Sequence, residues 1–65
     1  MEVRTLSKAG QERMNANGWR RRSVRDDETP AETVARYEAM GYRSKAYRVS
    51  TYVKGYYHYM VYIKR

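Results

Sequence analysis

The stretch Thr29-Pro30-Ala31-Glu32 constrains this chain more than any other, because it spells out a helix start in full. Thr29 caps the first turn, Pro30 suits a position whose N–H has no intrahelical partner, and Glu32 reaches back to the Thr29 amide in a capping box. Ala31, Val34, Tyr37 and Met40 follow at helical spacing. Gly41 supplies the residue best able to turn left-handed at the helix end, and Tyr42 folds back on the last turn. A helix over 30–40 is predicted.

The same grammar occurs 23 residues earlier, where Arg13, Ala16, Gly18, Trp19, Arg20 and Arg25 align with Arg36, Ala39, Gly41, Tyr42, Arg43 and Arg48. Each copy reads helix, glycine, aromatic, basic strand. A recurrent helix-to-strand junction explains this more simply than duplication. It predicts a first helix over 7–17, with Ser7 as its cap, and a strand over 19–25. Residues 1–6 are either flexible or a short edge strand.

Two β-rich runs, 42–53 and 56–64, flank Lys54-Gly55. The turn decides which side chains share a face, because a one-residue slip inverts every position. A two-residue loop at 54–55 puts Val49 and Val53 beside His58 and Met60, and leaves Val61 and Ile63 opposite with Arg48. A three-residue loop, Val53-Lys54-Gly55, gathers Tyr47, Val49, Thr51, Tyr57, Tyr59, Val61 and Ile63 on one face. The second register gives the cleaner amphipathic sheet and is preferred. The expected fold is therefore α/β (α+β), a small two-layer sandwich of order α-β-α-β-β. Its three-stranded mixed sheet has the most apolar strand, 56–64, in the centre and both helices on one face. The connection through the second helix is a right-handed crossover between parallel strands.

With 65 residues the chain has room for one domain, 1–65, and a thin core; domains of this size bury only ~60% of their unfolded surface. Ile, Leu, Val and Phe total eight, so the eight tyrosines must carry much of the burial. A core this small favours completion by a partner, including a second copy. No cysteine is present, which excludes disulfides and thiol chemistry. No apolar run approaches the ~20 residues of a membrane span, and no apolar leader begins the chain. A cytoplasmic, intracellular setting with no membrane partner is the expectation.

Charge is segregated along the chain. Residues 1–25 carry net +5, residues 26–40 net −4, and residues 41–65 net +6 with no acid. With the helices covering the Val49, Val61 and Ile63 side, the open face presents Arg48, Tyr52, Tyr56, His58, Tyr62 and Lys64. Arg21 and Arg25 join them by strand parity and by the internal alignment. Tyrosines interleaved with arginines suit single-stranded RNA or DNA, whose bases stack on rings while guanidiniums hold phosphates. These eight residues form the predicted nucleic-acid-binding set. The alternative is a protein-interaction module, forming a homodimer or binding a host protein, of viral or mobile-element origin. Tyr and Arg are enriched at such surfaces as well.

Enzymatic signals are weak. His58 is the single histidine and no carboxylate lies in 41–65 to orient it. Asp26-Asp27-Glu28 reads as charge at a helix start, not a metal set. No cofactor, no metal and no small-molecule substrate is expected, and the chain is read as a non-enzyme. The one chemistry the residues leave open is metal-free RNA cleavage, with His58 as base and Arg48 and Lys64 stabilising the phosphate. The segment Asn17-Gly18-Trp19 after a helix resembles the opening of small toxins with a double-stranded-RNA-binding-like fold. The likeness covers about ten residues, lacks the Gly-Ser-His-His segment of those toxins, and transfers no residue role.

Overall fold

The computed structural model describes residues 3–50 and 54–65. Their order is β1 (Arg4–Leu6), α1 (Lys8–Ala16), β2 (Arg20–Ser23), α2 (Pro30–Ala39), β3 (Arg43–Ser50) and β4 (Tyr57–Lys64). The helix starts follow the local grammar. Ser7 accepts a hydrogen bond from the Gly10 amide at 3.0 Å, and Thr29 and Glu32 close their capping box at 3.2 and 3.0 Å. Both helices also end alike. The Trp19 amide donates to the Met14 carbonyl at 3.0 Å and the Tyr42 amide to the Tyr37 carbonyl at 3.1 Å. Gly18 and Gly41 take φ of +86° and +91°, where a side chain would be strained. The repeated motif is thus one helix-ending device used twice.

The sheet has four strands in the order β1-β3-β4-β2. The segment Arg4–Leu6 adds an edge strand parallel to β3, so the order is β-α-β-α-β-β and the three-strand expectation is too small by one. β2 and β3 both run antiparallel to β4, and so parallel to each other.

The register differs from the preferred one. Ala46 faces Val61, Arg48 faces Tyr59, Tyr47 faces Met60 and Val49 faces His58. Directly opposed residues share a face. One face therefore carries Ser44, Ala46, Arg48, Tyr57, Tyr59, Val61 and Ile63. The other carries Arg43, Lys45, Tyr47, Val49, His58, Met60, Tyr62 and Lys64. The three-residue loop is overturned, and the faces are those of the rejected two-residue alternative. Part of that loop, Val53, lies outside the described residues.

The helices also do not share one face. Val34 of α2 packs with Val61 and Ile63, joined by Val24, Tyr37, Tyr42 and Ala46, and this is the main core. α1 lies over the opposite face, where Lys8, Gln11, Glu12 and Asn15 border a cleft with Arg21 and Tyr62. The reason is topological. The chain crosses from β1 at one edge to β2 at the other through α1, then returns through α2 to β3. Right-handed crossovers travelling in opposite directions put their helices on opposite sides. The two-layer expectation becomes helix, sheet, helix, with α1 burying none of its residues fully.

Candidate functional site

Because β2 and β3 are parallel, their first residues lie at one end of the sheet, where antiparallel β4 finishes. Each copy of the Gly-aromatic-Arg junction therefore delivers its ring and its first cation to that end. β4 adds Lys64 and Arg65. The result is a cluster of Arg20, Arg21, Arg22, Arg43, Lys45, Lys64 and Arg65 around Trp19 and Tyr42. These seven are half of the chain's fourteen cations.

The two rings are already cation platforms. The Lys45 ammonium lies 5.2 Å and the Arg43 guanidinium 5.9 Å from the Trp19 ring centre. Arg65 sits 4.8 Å over the Tyr42 ring and donates to its hydroxyl at 3.1 Å. Arg43 in turn donates to the main-chain oxygen of Arg65 at 3.0 Å. On the α2 side, Arg20, Arg22, Lys64 and Arg65 line a trough of about 520 Å³ with Gly18, Tyr42 and Ile63. On the α1 side, Arg21, Tyr62 and Lys45 form one cross-strand row.

Glu28 is engaged away from this cluster. Glu28 accepts from Arg36 at 3.0 and 3.1 Å and from Thr33 at 2.7 Å. These bonds, the Arg36 pair first, hold its carboxyl below the ordinary carboxylate range. Glu28 is therefore a structural anchor for the start of α2, and no group of three metal-ligating side chains occurs among the described residues. No helix of the described residues is long and apolar enough to cross a membrane.

The predicted eight-residue set is divided by this geometry. Arg21, His58, Tyr62 and Lys64 share the α1 face. Arg48 points to the α2 face, donating to Thr5 Oγ1 at 2.9 and 3.1 Å and lying 4.4 Å over the Tyr57 ring. Arg25 follows the end of β2 in an exposed loop, and Tyr56 is exposed just before β4. Tyr52 lies outside the described residues. Tyr62, expected as a stacking platform, is only 3% exposed. It meets Tyr47 edge-on at 5.9 Å beneath α1, and burial raises its phenol above the ordinary tyrosine range. No base can reach a ring so enclosed.

The cleavage triad does not assemble. Arg48 is on the face opposite His58, and Lys64 lies six residues along β4 from His58, about 20 Å at strand rise. One phosphate cannot touch all three.

Sequence reasoning left Trp19, Arg43 and Lys45 out of the predicted binding set. The signal was present in the repeated junction: two parallel strands begun by the same motif must bring its aromatic and basic residues together. No protein-family model, curated protein or solved structure matches the chain.

Proposed function

We propose that the chain is a nucleic-acid-binding module that works through the basic end of its sheet, with Trp19, Arg43 and Lys45 at the centre of the contact. The observation that supports this reading is the gathering of seven cations around two half-exposed rings at one end. The two helices also end there, and their dipoles attract positive charge. They account for about −0.5 each, roughly −1 against +7. Most of the cluster lacks a local counter-charge, which is what a phosphate backbone supplies.

Salt-dependent binding of a fluorescent single-stranded oligonucleotide tests the reading. About four phosphate contacts give a slope near −3 in log affinity against log salt. Arg43→Gln should flatten it by ~0.7. Trp19→Leu should weaken binding at every salt concentration and leave the slope unchanged, since stacking releases no ions. Lys54→Gln, at the hairpin tip, should change neither. Equal effects from all three substitutions would reduce the binding to general charge attraction.

A second reading, a protein-interaction surface that includes self-association, is favoured by a different patch. Tyr57 and Tyr59 are 45% and 46% exposed on the α2 face, with Arg48 stacked on Tyr57. Sedimentation of the purified chain separates the readings: a dimer abolished by Tyr59→Ser places the partner surface there.

A further inference from the structure

We infer that the trough between β2 and the end of α2 is a subsite for a phosphate monoester, the phosphorylated end of a nucleic-acid strand; this rests on the nucleic-acid reading above. α2 covers β3 and β4 and leaves the neighbouring side of β2 open. Arg20 and Arg22, two residues apart on that side, form one wall, Tyr42 with its bound Arg65 forms the other, and Ile63 is in the floor. No Asp or Glu side chain lines the space.

Size and charge together select the ligand. A volume of about 520 Å³ falls within the range of small-ligand sites and has room for about one nucleotide. Arg20, Arg22, Lys64 and Arg65 all line that space. An internal phosphodiester brings one negative charge, whereas a terminal monoester brings −1.5 to −2 at neutral pH with three acceptor oxygens. The monoester is the better match, because a guanidinium fork donates to two oxygens at once.

The donors are also held in place. Arg65 is fixed on the Tyr42 ring and hydroxyl, and Arg22 donates to the Arg21 carbonyl at 3.0 Å. Each spends one donor internally, and a guanidinium has five. Gly18 lines the rim beside the Lys64 side chain. The nearby C-terminus of α2 opposes an anion with only about half a charge.

The test compares one single-stranded oligonucleotide carrying a 5′-phosphate, a 3′-phosphate or hydroxyls at both ends. At pH 7.5 a phosphorylated end should bind about tenfold tighter, the worth of one charge-assisted hydrogen bond. The preference should fade as the pH drops below ~6, where the monoester dianion takes up a proton and falls to a single negative charge. Arg20→Gln with Arg22→Gln should bring the three strands to equal affinity, at a lowered level held by Trp19, Arg43 and Lys45. Equal affinity for all three strands at pH 7.5 overturns the subsite and leaves the nucleic-acid reading standing. Failure of every strand to bind overturns that reading instead. A nucleoside monophosphate then probes the trough alone, by displacing a fluorescent analogue: displacement lost in the double variant keeps the monoester site, and no binding of the analogue rejects it.

Discussion

Replacing Val49 and Val61 by alanine, singly and together, tests the sheet register in energetic terms. Val61 is fully buried against Val34 and Ile63. Removing its two extra methyl groups costs about 1.6 kcal/mol in transfer energy, and the cavity left behind brings this to about 2–3 kcal/mol. Val49 is 6% exposed but borders an open cleft of about 740 Å³ on the α1 face. Solvent can enter the gap there, so the cavity contribution falls and about 1.5 kcal/mol remains. The two side chains touch opposite faces and share no cluster, so the double substitution should cost the sum within about 0.5 kcal/mol. A Val34→Ala and Val61→Ala cycle, within one cluster, should depart from additivity by more than that. A 65-residue domain has about 3–10 kcal/mol in total, so urea unfolding should be run near 15 °C, close to the stability maximum. Coupling between Val49 and Val61 as large as that between Val34 and Val61 would refute the opposite-face assignment, and with it the placing of Arg48 on the α2 face.

Two further outcomes follow from the helix that anchors the core. Glu28 has its carboxyl depressed in the folded state, so its contribution is present above the ordinary value of 4.5 and is lost as pH falls through the folded value; acid unfolding of Glu28→Gln should show a shallower dependence on pH below 4.5 than the parent, and identical curves would discard the Arg36–Glu28–Thr33 network. Thr29→Ala should lose about 1 kcal/mol by breaking the capping box, and Gly41→Val should lose more because φ is +91°; chemical denaturation that finds both variants as stable as the parent would contradict the α2 boundaries.

The ends of both helices were legible in the residues because every bond that makes them spans five positions or fewer. Thr29 to Glu32, Ser7 to Gly10, and the amides after Gly18 and Gly41 need nothing from the rest of the chain. Charge segregation was legible for the same kind of reason, being a property of order along the chain. What each face presents was not. In the 42–53 and 56–64 runs Tyr falls on both parities while Val49, Val61 and Ile63 fall on one, which favoured the register that gathers them on one face; the strands pair one residue out of that register, which puts Arg48 on the α2 face and Arg43 and Lys45 away from the main core. The side taken by α1 depended on Arg4–Leu6, three residues too short to announce a strand, which pair with β3 only once that strand exists. That pairing sends the chain across the whole sheet and back, and chirality then divides the helices between two faces. The basic end was half visible: the repeated Gly-aromatic-Arg junction is local, but its two copies meet only because two parallel strands start at the same end of the sheet, on either side of β4. Bonds between near neighbours are determined by the residues that make them, whereas register, sidedness and the meeting of distant cations are set by which strands pair.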